Sequence, residues 1–391
     1  MKIVQYPFMP GTGHMAQEIV NQPKLWAATY SSLLAKKDEI AGFLKKVFEI
    51  NGLQIILTGA GTSAFIGEIL QQSFSRNTGK ISKAIATTDM VTHPADFFQK
   101  SVPTLLISFA RSGDSPESLA TFELAEKLND VVYHLIITCN PEGKMTKAGA
   151  DRKNSFVFLL PEGTNDQALA MTSSFTSMAL AGLLISDIKN IKKNEEKVQK
   201  LIRYGNIILD KYAAEFSKVA DLDFKRVVFL GSGALKGTAK ESHLKVTELT
   251  DGQIICQYES FLGFRHGPRA VIDESTLLIY LFSNDAYVHN YEIDLVRSIN
   301  QTEKLLFSIG IGQCLKGLEN LENLTINLCT DGKRLPDDFF SVCSIIPAQV
   351  LGFFKSLALG LTPDSPSKNG GIHRIVQGVT IYPYNGQNHK K

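Results

Sequence analysis

Ile56-Leu57-Thr58-Gly59-Ala60-Gly61 reappears as Val228-Phe229-Leu230-Gly231-Ser232-Gly233, and Thr104-Leu105-Leu106-Ile107 reappears as Thr276-Leu277-Leu278-Ile279. Both pairs are offset by 172 residues, Gly59 to Gly231 and Thr104 to Thr276. One offset shared by two separate matches is the mark of an internal duplication, which fixes the architecture before any function is considered. Each matched segment is an apolar run that ends in a Gly-x-Gly turn or precedes a polar loop, as a strand leading into a helix does. Working outward, further strand candidates are Lys83–Thr87, His134–Thr138, Phe156–Leu160 and Leu324–Leu328. Helix candidates are Ala64–Ser75, Pro116–Asn129, Ala168–Ile188, Glu195–Phe216, Thr238–Thr250, Tyr287–Phe307 and Phe339–Gly360. Alternating strands and helices predict an α/β fold, here two tandem doubly wound units whose parallel sheets are flanked by helices. The units are expected over 35–190 and 205–362 and joined by the charged stretch Lys189–Lys200. A helical arm (1–34, with Pro10 and the only tryptophan, Trp26) precedes them and a tail (363–391) follows over the site.

The chain of 391 residues is long enough for two such units, with 44% hydrophobic and 20% charged residues. Its 41 basic and 39 acidic side chains give a net charge of +2, which supplies no bulk attraction to nucleic acid. The apolar runs read as shorter than the ~18 residues of a bilayer span, and the N-terminus lacks a signal-peptide core, so a soluble cytoplasmic protein without membrane partners is expected. Five scattered cysteines, Cys139, Cys256, Cys314, Cys329 and Cys343, form no CxxC pair and read as core thiols rather than a disulfide or zinc framework.

The two copies differ where chemistry could sit. After its repeated strand the first copy has Ala110-Arg111-Ser112-Gly113-Asp114-Ser115, whereas the second has Ser283-Asn284-Asp285. The Arg111–Ser115 loop and Gly59-Ala60-Gly61-Thr62-Ser63 both follow strands and precede helices, one of them opened by Pro116. Such junctions offer amides, hydroxyls and a favourable dipole to a phosphate, at the carboxyl edge where α/β folds bind ligands; each is also an ordinary connector. Gly59 to Ala64 matches G-x-G-x-x-A as well, but Asp89 comes 30 residues after Gly59 rather than about 20, which speaks against a dinucleotide site. No P-loop motif is present. A third cluster, Glu162 to Asp166 followed by Thr172-Ser173-Ser174, is either a helix cap or a set of ligand hydroxyls. In the second copy Glu241, Lys245 and Glu248 share one helix face, and Arg265-His266-Gly267-Pro268 holds a histidine in a turn. A solvated salt-bridged stripe and a proton-transfer site are both compatible with that pattern.

Gly61-Thr62-Ser63, Arg111 to Ser115, Lys240-Glu241 to Glu248 and Arg265 to Pro268 together resemble, in order, the motifs of tandem SIS (sugar isomerase) domain proteins. The isomerase half of glucosamine-6-phosphate synthase belongs to that family. LTGAGTSAFIGE, SFARSGDSPES, HLIITCN and ALAMTSS are similar to the narrower branch of bacterial galactosamine-6-phosphate deaminase/isomerases, also called tagatose-6-phosphate ketose/aldose isomerases, over roughly 20–385. The resemblance implies an aldose–ketose isomerase and deaminase that needs no cofactor and no metal. It implies phosphate binding by Gly61, Thr62, Ser63, Arg111, Ser112 and Ser115, and sugar-hydroxyl contacts by Thr172, Ser173 and Ser174. Glu248 would be the base and Glu241 and Lys245 would flank it. His266 would open the sugar ring, from a neighbouring subunit in the synthase, so a homo-oligomer of at least two chains is implied. Two departures stand out. Ala110 replaces a synthase serine, with Arg111 beside it as a candidate guanidinium substitute, and Gln377 falls near a synthase lysine. The synthase's glutaminase domain is not in this sequence, so glutamine is not expected as nitrogen donor. A non-catalytic sugar-phosphate sensor and an isomerase without deamination remain alternatives.

Overall fold

The computed structural model describes Ile3 and residues 11–313, 315, 322–329, 331–376 and 378–385. Pro10, Cys314 and Gln377 lie outside the described residues. Two five-stranded sheets organise the chain. The first has the order β2-β1-β3-β4-β5, built from β1 (Gln54–Thr58), β2 (Ile81–Ala84), β3 (Thr104–Ala110), β4 (Val132–Thr138) and β5 (Ser155–Leu159). The second repeats it as β7-β6-β8-β9-β10, with β6 (Arg226–Gly231), β7 (Ile255–Glu259), β8 (Thr276–Leu281), β9 (Phe307–Gly312) and β10 (Leu324–Asn327). Every recorded strand pair is parallel.

The duplication holds at the level of single residues. Gln54 pairs with Thr104 in the first sheet and Arg226 with Thr276 in the second, the same register 172 positions apart. Gly61 and Gly233 cap the following helices with nearly equal angles, φ 55 and ψ −128 against φ 57 and ψ −125. A β-carbon there would be strained, so glycine is required twice by the same turn.

Central strands β3 and β8 are buried at every position, which is why they read as unbroken apolar runs. The sequence reading fails where this signal fades. Edge strand β7 alternates exposed and half-buried residues and β9 carries two glycines; neither was expected. The helix expected over Tyr287–Phe307 ends at Thr302, and Phe307 opens β9 instead. The strand expected over Lys83–Thr87 is displaced to β2, because Thr87 starts a short helix.

The arm is the helix Gly13–Ala35, which ties the halves together. Its Trp26 indole donates to Thr176 Oγ1 at 3.0 Å, on the fully buried helix Ser173–Ser186, and its Gln22 donates to Gln349 Oε1 at 2.7 Å on the helix Ile346–Ala358. One expectation is corrected here. The helical stretch Asp337–Ala358 is long and apolar enough to cross a membrane by length and composition, but 94% of its apolar window is buried in the protein, where it packs as a core element.

Candidate active site

The carboxyl ends of β1 and β3 open onto a cleft of about 440 Å³. Its floor is the pair of loops after those strands, with Gly61, Thr62 and Ser63 on one side and Arg111, Ser112 and Ser115 on the other. Ser115 precedes Pro116, the first residue of a 13-residue helix, so the positive end of that helix dipole lies at the cleft. Ser115 Oγ donates to Ser118 Oγ at 2.6 Å, and Ser112 Oγ accepts from the Asp114 amide at 3.2 Å. Ser118 was not singled out by sequence, although its i+3 spacing from Ser115 at the helix start was the available signal.

Glu248 is the acidic residue lining the cleft, and it comes from the second half of the chain. It projects from the helix Ala234–Leu249, which packs against the helix Thr62–Thr78. On the same face Lys245 is fully buried; its Nζ lies 2.5 Å from Glu248 Oε2, 3.3 Å from Glu241 Oε1 and 3.0 Å from Thr62 Oγ1. The triad is therefore a buried network rather than a solvated stripe, and Thr62 ties it to the first half. Burial drives the Glu241 carboxyl up to about 8, reinforced by Glu248 and opposed by Lys245. Burial alone would lower the Lys245 ammonium, but the carboxylates of Glu241 and Glu248 outweigh it and raise its pKa. Near neutral pH the site therefore holds Glu241 neutral and Lys245 cationic.

Two expectations need correction. Thr172, Ser173 and Ser174 do not line the cleft. Their amides donate to the Asp166 carboxylate at 2.8, 3.1 and 2.9 Å, so Asp166 caps the helix Ser173–Ser186, which starts five residues later than expected. Arg111 does line the cleft, yet its guanidinium is directed at protein carbonyls rather than left free for phosphate. It donates to Leu169 O at 3.0 Å, to Ala168 O at 3.3 Å and to Arg374 O. His266 sits exposed in the turn after the short helix Phe261–Phe264 and is not among the residues lining its own chain's cleft. The tail does cover the site, through Gly371 to Val376.

The SIS domain profile matches residues 50–185, which hold the first sheet and both hydroxyl-bearing loops of the cleft. A D-galactosamine-6-phosphate deaminase AgaS from a Shewanella species is 39% identical over 94% of this chain and 92% of its own length. The chain belongs to this family of SIS-domain proteins. Among solved structures, a tagatose-6-phosphate ketose/aldose isomerase from Escherichia coli is 35% identical, with a TM-score of 0.87 over 95% of this chain and 96% of that one. A Clostridium novyi structure assigned provisionally to the same class is 39% identical, with a TM-score of 0.93 and 95% of each chain covered.

Proposed function

We propose that the chain converts galactosamine 6-phosphate and water to tagatose 6-phosphate and ammonia. The observation that carries this reading is the placement of Glu248, a carboxylate held by a buried ammonium and facing two hydroxyl-rich loops across a sugar-sized cleft. Ser63, Ser112 and Ser115, with the amides of their loops, bind the substrate phosphate and fix the sugar against Glu248. In the open-chain sugar Glu248 takes the proton from C2, and electrons move to the C1 aldehyde oxygen, giving an enolamine. Reprotonation at C1 gives the C2 imine, which water hydrolyses to the ketose with release of ammonia. Lys245 orients the Glu248 carboxyl through its hydrogen bond, and burial keeps Glu241 neutral beside them.

His266 opens the sugar ring in this reading. Its exposed position outside its own cleft suits donation to a neighbouring subunit, so the working enzyme is at least a dimer. The reaction belongs in the cytoplasm, where phosphorylated sugars are retained. The test is ammonia release from galactosamine 6-phosphate and glucosamine 6-phosphate side by side, followed by mixing of Glu248→Gln and His266→Ala proteins after separate purification. Release from the galacto sugar, and recovery of part of that activity when the two inactive variants exchange subunits, is expected. Sugar phosphate binding without ammonia release would replace this reading by a sensor; ketose formation without ammonia would replace it by simple isomerisation.

A further inference from the structure

We propose that Arg111 is a positioning residue that latches the tail segment 371–376 over the cleft, and that the arm helix Gly13–Ala35 serves the site because its Glu18 holds the socket for that latch. The proposal rests on the reading of the cleft given above. The socket is the loop 165–169, whose backbone is gripped on both sides. Glu18 Oε1 accepts the amides of Gln167 at 2.5 Å and Ala168 at 3.2 Å, and the Leu169 amide donates to Asp364 O at 2.9 Å. With those amides fixed, the carbonyls of Ala168 and Leu169 point at Arg111 Nη1, while Nη2 reaches across to Arg374 O in the tail. Arg374 returns the contact, its Nε donating to Asp166 O at 2.7 Å and its Nη2 to Asn165 Oδ1 at 2.8 Å. Two guanidinium groups thus clasp loop and tail reciprocally.

The chemistry favours a latch over a ligand contact. Arg111 is 8% exposed, and its guanidinium presents two separate nitrogens in a fixed planar fork, one to the loop carbonyls and one to the tail carbonyl. Among the described residues, the hydrogen bonds that join 371–376 to the rest of the fold are those of Arg111 and Arg374, and Lys368 just before it donates its amide to Asp251 Oδ2 at 3.3 Å. The Gly371 and Ile372 amides donate to Ser367 Oγ within the tail, and the next anchor is Lys127 to Tyr384 O at 2.7 Å. Arg111 is therefore placed to decide whether the roof stays down on a bound sugar. This also gives the arm a role: Asp364, which accepts the Met15 amide at 2.7 Å, and Glu18 join the arm to the start of the tail and to the socket.

Arg111→Lys and Arg374→Ala test the latch through two readouts, the kcat and KM for galactosamine 6-phosphate and the release of a C-terminal fragment by thermolysin, which can cut before Ile372. Both variants are expected to raise KM about tenfold with a smaller fall in kcat, the equivalent of ~1.4 kcal/mol, and to lose the fragment at doses that leave the native protein whole. A purely structural role for Arg111 would lower the melting temperature of Arg111→Lys without singling out the tail. Native KM or a native level of tail protection in Arg111→Lys overturns the proposal, as does a raised KM with the tail still protected, because Arg111 then acts on the ligand directly. Ser112→Ala separates the two readings. An unchanged KM there, alongside an opened tail in Arg111→Lys, sinks the phosphate cradle and leaves the latch; if no substrate is turned over, the thermolysin comparison alone decides the latch.

Discussion

The cleft joins the loops of the first copy to a helix face of the second, and the duplication supplies the converse pair, the loop of the second copy and the helix face of the first. Those converse positions are filled by the protein itself. Ser283 and Asn284, 172 residues after Arg111 and Ser112, bind the Asp337 carboxylate: Ser283 Oγ donates to it, and the Asn284 amide donates to Oδ1 at 2.9 Å. Ile69, Ser73 and Arg76 stand where the second copy has Glu241, Lys245 and Glu248. Ser73 Oγ and Arg76 Nη2 donate to Asp338 Oδ2 at 3.1 and 3.0 Å. Two adjacent carboxylates at the start of one helix therefore occupy both parts of the converse arrangement. The difference teaches that duplication produced two frameworks of equal geometry, and that side chains alone made one a cleft and the other a structural joint.

The largest expected effect contrasts Glu248 with its counterpart Arg76. Glu248→Gln keeps the shape of the side chain but removes the base, so kcat should fall about 10²- to 10⁴-fold while sugar phosphate binding persists. Arg76→Gln breaks an ion pair whose arginine is 61% exposed and should leave kcat unchanged, with a stability cost of about 0–1 kcal/mol. Near-native turnover in Glu248→Gln removes the base from the mechanism; a comparable loss in Arg76→Gln would show that the converse site is not merely structural.

A smaller contrast concerns the loops. Ser112→Ala is expected to raise KM for the sugar phosphate about tenfold, the loss of one hydrogen bond to a charged group, without lowering the melting temperature. Ser283→Ala should do the reverse. It deprives the partly buried Asp337 carboxylate of a donor, at a cost of about 1–3 kcal/mol, and leaves KM alone. Steady-state kinetics and thermal unfolding on the two proteins settle it, and a raised KM in Ser283→Ala would mean that the second loop handles substrate.

Much of this asymmetry was legible in the sequence, because the 172-residue offset aligns Arg111-Ser112-Gly113 with Ser283-Asn284-Asp285 and the helix spacing gathers Glu241, Lys245 and Glu248 on one face. Spacing reports which residues share an element, and it reads well for central strands such as β3 whose burial is complete. It does not report partners distant in the chain. Asp337 and Asp338 lie just before the helix expected from Phe339, and nothing local marks them as the occupants of positions far away in the chain. For Thr172, Ser173 and Ser174 the sequence left a helix cap and ligand hydroxyls open and the resemblance implied the sugar; the cap is what forms, with Asp166 as the acceptor. Arg111 was legible as a cleft residue, but its carbonyl partners on the 168–169 loop and at Arg374 are tertiary facts.

The last contrast is a pH dependence shared by the two sides of the cleft. Burial holds the carboxyls of Glu241, under the second-copy face, and Glu18, under the first-copy loop, up at about 8, with the charge of Asp166 adding to the effect at Glu18. The ordinary value for each is 4.5, so between about 4.5 and 8 the unfolded chain releases protons that the folded chain keeps. At these two groups the unfolded state then binds fewer protons, so their contribution to stability falls as pH rises through that window and levels off above it, while His134 and His243, which burial keeps neutral, contribute with the opposite sign below their ordinary value of 6.5. Glutamine cannot ionise, so Glu241→Gln and Glu18→Gln should each flatten the fall in melting temperature between about pH 5.5 and 8.5, and the double variant should flatten it most. If Glu241→Gln alone removes the slope, the charge that the fold resists is confined to the catalytic face; if Glu18→Gln removes as much, the arm and its loop carry an equal share of the strain of a buried acidic site. Slopes in Glu241→Gln and Glu18→Gln no different from that of the native chain would show that the fold holds neither carboxyl neutral, and the neutral Glu241 would have to be abandoned.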